Sequence, residues 1–167
     1  MKAVANANKP MKILSQRDPR WAADKIGQSA WTVGQKGCAL TSLINGANAI
    51  GANPKGLTPK GLAHNVALFL PTGDILWDKA CAFIGPLRFA GREEGQNDAR
   101  IVASLKDPDG FVILQVNYGA HFALAWSKSI HPLHRGDFVI ADPWGGTKQY
   151  ARGAYHNISG ARYFVRR

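Results

Sequence analysis

The hydrophobic period of this chain changes once, across Asp107-Pro108-Asp109-Gly110. Before that turn signal, apolar residues recur three and four positions apart. After it they come in short β-branched and aromatic runs. A chain patterned in this way packs helices from its first half on a sheet built from its second half, an α+β plan. The clearest helical stretch is 37–51, where Leu40, Leu43, Ile44, Ala47 and Ile50 share a face, Cys38 opens the helix and Gly51 stops it. Thr58-Pro59 caps and starts a second helix with Leu62, Val66, Phe69 and Leu70 inward. A third carries Leu76, Ala80, Phe83 and Ile84 up to Gly85-Pro86, and Asn97 caps a fourth with Ile101, Val102 and Leu105. Strands are predicted over 111–116, 121–126, 137–142 and 161–165, with a loop or short strand over 27–36 and a polar loop over 92–96. Trp21 is expected to anchor the core.

The length of 167 residues suits one domain, taken as 13–167 behind a loose leader over 1–12. With 46% hydrophobic and 19% charged residues the composition is globular, which excludes a disordered chain. No apolar run reaches the roughly 20 residues of a membrane span, and the N-terminus lacks the apolar core of a signal peptide. Cytoplasmic synthesis is therefore expected. Two cysteines, Cys38 and Cys81, make no disulfide framework and suit a reducing compartment. The net charge of +10 implies attraction to a polyanion: an anionic cell wall, a membrane surface or nucleic acid. The excess is spread along the chain, with a small cluster at Arg162, Arg166 and Arg167. No zinc-finger, helix-turn-helix or aromatic-basic RNA motif accompanies it, so nucleic acid is the least expected partner.

Cys38 stands at a helix start, where the positive end of the helix dipole favours a thiolate. Gly37 before it is read as a sharp turn that leaves room for a substrate. His121 opens a strand after a tight turn, and Asp142 ends the next strand. A thiol nucleophile needs a base, and the base needs an orienting group; Cys38, His121 and Asp142 supply those types at element ends, where side chains can meet. Each has a plainer reading. Cys38 alone fits a small buried core thiol, and Cys81 is expected to be one. Trp144 either lines a cleft beside Asp142 or packs on the sheet. His131 and His134, with Asp137, fall short of the four ligands a closed metal site takes, so no metal or other cofactor is expected. His64 is read as a satisfied, partly buried imidazole, and His156 as exposed.

Four blocks together resemble a known family: Leu14-Ser15-Gln16-Arg17-Asp18-Pro19-Arg20-Trp21, Gly37-Cys38-Ala39-Leu40-Thr41-Ser42-Leu43, Gly119-Ala120-His121-Phe122-Ala123-Leu124 and Ala141-Asp142-Pro143-Trp144-Gly145. They are similar to papain-clan cysteine peptidases of the bacteriocin-processing type (family thirty-nine of the cysteine peptidases, in its broad sense). The likeness runs from about residue 13 to the end. It implies a papain-like fold, with Cys38 as nucleophile, His121 as general base and then acid, and Asp142 holding the imidazole. It also implies a glutamine that helps hold the oxyanion. Gln16 matches by its Ser-Gln-Arg-Asp context, and Gln35 lies closer to Cys38 in sequence. Ala39 stands where many relatives carry glycine. Stand-alone domains of similar look occur among phage and bacterial wall lysins. With the basic charge, this makes a peptidoglycan peptide the leading substrate, as for a phage endolysin acting at the cell wall. A protein-processing protease or transpeptidase acting on a polypeptide is the alternative, and a non-catalytic basic binding module the third reading.

Overall fold

The computed structural model describes residues 11–167, and all but the last two residues of the expected leader over 1–12 lie outside the described residues. Met11, assigned to that leader by sequence, is partly buried and packs on the core. The elements in chain order are α1 (Val33–Lys36), α2 (Cys38–Ala49), α3 (Pro59–Ala63), α4 (Trp77–Ile84), β1 (Leu87–Glu94), α5 (Asp98–Lys106), β2 (Gly110–Val116), β3 (His121–Lys128), β4 (Phe138–Asp142), β5 (Thr147–Tyr150), α6 (Ala151–Tyr155) and β6 (Ile158–Arg166). The strands form one antiparallel sheet in the order β1-β6-β2-β3-β4-β5. The architecture is α+β, as the single change of period requires.

Side chains alternate across this sheet, and both faces are covered. Phe111, Ile113, Leu124 and Phe164 face α2 and join Leu40, Leu43, Ile44 and Ala47 in the larger core cluster. Val112, Leu114, Ala123, Phe138 and Ile140 face the other way and pack with Ile101 of α5 and Ala151 of α6. Helix α2 lies close on the sheet because it carries Gly46 there: a Cβ at that position would come within 2.3 Å of the Phe111 ring. Its end is closed by a Schellman pair, Ala52 N–H donating to Ala47 O at 2.7 Å and Gly51 N–H to Asn48 O at 3.1 Å. The predicted stop at Gly51 is thus where the helix finishes.

Several local expectations fail. The second helix ends at Ala63, because the Asn65 side chain caps a separate 3-10 turn by accepting from Ala67 N–H. Val66 and Leu70, predicted inward, are exposed. The loop over 92–96 is partly the end of β1, an edge strand whose charged residues hide its alternation. The last strand is longer than 161–165, and β5, α1 and α6 were not expected at all. Trp21 is a core residue as expected, its Nε1–H donating to Ser15 O at 2.8 Å. No helix among the described residues is long and apolar enough to cross a membrane.

Candidate active site

Cys38 is the first residue of α2 and is buried, at 8% exposure. Its place is fixed from both directions along the helix. Asn45, one of the buried polar residues of α2, accepts from Leu14 N–H at 2.9 Å and donates to Leu14 O at 3.1 Å. Ser42 donates to Phe122 O at 3.2 Å, which ties the helix to β3 one residue past His121. The Cys38 N–H, in the first turn of α2, has no acceptor within that helix, and none among the described residues. Gly37 has an ordinary φ of −81°, so the expected sharp turn is absent. The residue is small because a Cβ there would lie 2.4 Å from Val33 O; it is neighbouring backbone, and not a substrate, that needs the room.

The turn between β2 and β3 sets His121. Asn117, Tyr118 and Gly119 all have positive φ, with Gly119 N–H donating to Val116 O at 3.2 Å and Ala120 N–H to Asn117 O at 3.0 Å, so a tight four-residue loop brings Val116 and His121 into register. Leu124 pairs with Ala141, so Asp142 falls one step further along β4, diagonal to His121 on the same sheet face. The His121 Nε2 to Asp142 Oδ1 distance is 2.9 Å. This engages Nε2 and leaves Nδ1 as the ring nitrogen available to the Cys38 sulfur. Burial works to lower the His121 pKa. The hydrogen bonds and charges of Asp142 and Cys38 outweigh it and push the value up to about 9. The imidazole is thus cationic at neutral pH, beside a buried sulfur.

Asp142 is itself held at both oxygens. Oδ1 also accepts from Trp144 N–H at 3.0 Å, an Asx turn that the Asp-Pro-Trp-Gly sequence builds locally. Oδ2 accepts from the Tyr155 hydroxyl at 2.5 Å. Burial would raise the Asp142 pKa, but the hydrogen bonds from His121, Tyr155 and Trp144 N–H hold it below the usual carboxylate value. Tyr155 is pushed the other way, by burial and then by the carboxylate it serves. Its ring also lies against His121, with centroids 4.8 Å apart. Sequence reading missed Tyr155; it sits on α6, a five-residue helix too short to show a period.

Gln16, Cys38, His121, Trp144 and Tyr155 line one cleft of about 260 Å³. Gln16 is buried and strapped to the Asp142 loop by Gln16 N–H donating to Pro143 O at 2.7 Å, with Ser15 Oγ donating to Trp144 O at 3.0 Å. Its Nε2 donates to Gly34 O at 3.1 Å and, more weakly, to Val33 O at 3.5 Å, and its Oε1 is buried without a partner among the described residues. Gln35 also borders this cleft, but its Oε1 is occupied in capping α1, accepting from Thr32 N–H and hydroxyl. Trp144 is half exposed, with the Arg17 guanidinium stacked 4.9 Å from its ring centroid, so it forms cleft wall and not sheet packing.

The remaining candidates stand apart from this cleft. Asp137 accepts from the backbone N–H groups of Phe138, Arg152 and Gly153, so it caps α6. His134 stacks on Tyr150 with centroids 3.8 Å apart, and His131 leans on both rings. His64 is more exposed than expected, and Asp24 satisfies it at 2.7 Å. His156 is exposed. Cys81 is a buried core thiol with its pKa pushed up to about 12 by burial and then by Asp78. The cluster of Arg162, Arg166 and Arg167 does not form on the surface: Arg162 is buried while the other two are exposed. No protein-family model matches the chain, and no curated protein sequence matches it.

Proposed function

We propose that the protein is a thiol-dependent hydrolase that cleaves peptide bonds, with Cys38 as nucleophile, His121 as acid and base and Asp142 as the orienting group. The observation that carries this reading is the shared cleft. A buried cysteine at a helix start and a cationic histidine meet there, and the far ring nitrogen of that histidine is held by a carboxylate. A core thiol with a structural role has no need of such a partner, and Cys81 has none. The four sequence blocks similar to papain-clan peptidases of the bacteriocin-processing type fall on this same arrangement.

In the reaction, the Cys38 thiol gives its proton to His121 Nδ1, and the sulfur so freed attacks the carbonyl carbon of a bound peptide. The carbonyl oxygen becomes an oxyanion that accepts hydrogen bonds from Cys38 N–H and from Gln16 Nε2, which exchanges its weak bond to Val33 O for it. His121 gives its Nδ1 proton to the leaving amine, which departs and leaves a thioester. His121 then takes a proton from water, the hydroxide attacks the thioester, and the acid product leaves as the sulfur is freed. Asp142 keeps the ring oriented and stabilises its cationic form, and Tyr155 keeps Asp142 in place.

The substrate favoured is a peptide of peptidoglycan, as in a cell-wall lysin or phage endolysin. The net charge of +10 supports that choice, since it draws the protein to an anionic wall. The test is digestion of purified peptidoglycan by wild type and Cys38→Ala in parallel, with mass spectrometry of released fragments. New amino termini from the wild type alone are expected. Fragments from neither protein, with cleavage of a denatured protein by the wild type, would move the reading to a protein-processing protease. Fragments from both would remove Cys38 as the nucleophile.

A further inference from the structure

A second cleft, of about 510 Å³, opens on the other side of Cys38 and carries an arginine in an unusual setting. Trp77, Phe122, Gln115, Arg92 and Arg162 help line it. The Arg162 side chain is only 8% exposed, and buried arginines are ordinarily matched by a carboxylate in close, two-pronged contact. Here the sole carboxylate within ion-pair range among the described residues is Glu94, 3.9 Å away and 71% exposed. The same Glu94 oxygen is also 3.9 Å from Arg92, so one solvated carboxylate is shared by two guanidinium groups. Arg92 and Arg162 are register partners across β1 and β6, a placement of like charges that costs stability unless an anion sits between them.

Of the five N–H donors of Arg162, two have hydrogen-bond acceptors among the described residues: Ala161 O at 3.1 Å and Gln115 Oε1 at 3.2 Å. Gln115 in turn donates from Nε2 to Gly119 O at 3.1 Å, in the turn that sets His121. The guanidinium is thereby aimed and braced, with donors to spare, in a cleft that also reaches Cys38. Phe122 lies beneath it at 5.7 Å, and Trp77 gives the cleft an apolar wall for the rest of a ligand.

We propose that Arg162, assisted by Arg92, is a carboxylate-binding subsite, so that the peptide held for attack by Cys38 carries a free carboxylate. This rests on the peptidase reading for its purpose, though not for its geometry. The carboxylate can be an acidic side chain or a chain terminus.

The test is an NMR titration of the Trp77 indole signal in full-length Cys38→Ala, which holds peptides without turning them over. The probes are acetyl-Ala-Glu-amide, with a side-chain carboxylate, acetyl-Ala-Ala, with a terminal one, and acetyl-Ala-Gln-amide, with neither. One or both acids are expected to bind at least about tenfold tighter than the neutral peptide, the least that a charge-assisted hydrogen bond to a buried site is worth. Which acid binds tighter names the source. Adding Arg162→Gln should erase the preference, and Arg162→Lys should keep part of it. If Arg162→Gln fails to fold, Arg92→Gln, at an exposed position, should cut the preference at least about threefold, since a second cation is lost. Equal binding by all three peptides, binding by none, or a preference that survives these substitutions overturns the subsite. Carboxylate preference without Cys38-dependent cleavage would remove the peptidase reading and leave the subsite, and cleavage indifferent to carboxylates would do the reverse.

Discussion

Replacing Tyr155 by Phe removes one oxygen and tests how the orienting carboxylate is held. Asp142 is 3% exposed, and Oδ2 has the Tyr155 hydroxyl as its hydrogen-bond donor at 2.5 Å. Oδ1 keeps its two donors, His121 Nε2 and Trp144 N–H. A hydrogen bond to a charged group contributes about 1.5–3 kcal/mol, and a buried acceptor left unpaired costs a similar amount. Tyr155 borders the cleft, so water can enter the space of the lost hydroxyl and recover part of this. The expected loss is therefore at the low end, about 1–2 kcal/mol, or roughly 2–8 °C in Tm for a domain of this size. The loss should shrink in acid, because the bond is strongest to the ionised carboxylate. Asp142 has a lowered folded pKa, so its contribution is present above the ordinary carboxylate value and fades as pH falls through the folded one. Urea unfolding at pH 7 and at pH 3, with wild type alongside, reads both effects. Equal stability of Tyr155→Phe and wild type at pH 7 would refute the idea that this hydroxyl holds Asp142.

Other consequences follow from the same geometry. The ring-proton NMR signal of His121 should titrate at about 9, and its pKa should fall in Cys38→Ala, since Cys38 is one of the groups that raise it. By the same linkage, His121 stabilises the fold fully below its ordinary pKa of 6.5, and this contribution is lost as pH rises through about 9, as is peptide cleavage. Gly46→Ala should lower stability by about 1–3 kcal/mol in urea unfolding, because its Cβ would meet the Phe111 ring and push α2 from the sheet. Gln16→Ala should lower kcat about a hundredfold with little change in KM, the signature of a donor to the oxyanion.

The fold was legible where period was strong. Helix α2 and strands β2, β3 and β4 follow directly from the spacing of Leu40 to Ile50 and from the runs around Val112, Leu124 and Ile140. Elements without a buried stripe were not legible. β1 carries Arg88, Arg92, Glu93 and Glu94 at the sheet edge, and α1 and α6 are single turns. In the site, residue types at element ends pointed to Cys38, His121 and Asp142 because chain order and turn signals show where strands start and stop. Tyr155 and Arg162 could not be found that way. Their roles come from contacts across the sheet: Tyr155 reaches Asp142 from 13 residues away, and Arg162 meets Gln115 from 47 away. Counted in sequence, Arg162 is one more surface charge; the register of β6 between β1 and β2 is what buries it.

In the proposed reaction the Cys38 sulfur is a nucleophile made so by His121. The most direct measurement is the rate of alkylation by iodoacetamide at pH 7, with peptide mapping to locate the adduct. Cys81, 1% exposed and with its pKa pushed up to about 12, serves as the internal control. Rapid modification of Cys38 is expected while Cys81 is spared, with a rate at least about tenfold lower in His121→Ala and loss of peptide cleavage in step with the adduct. Modification of Cys38 at the same rate with and without the imidazole, or full cleavage by the alkylated protein, would contradict that role.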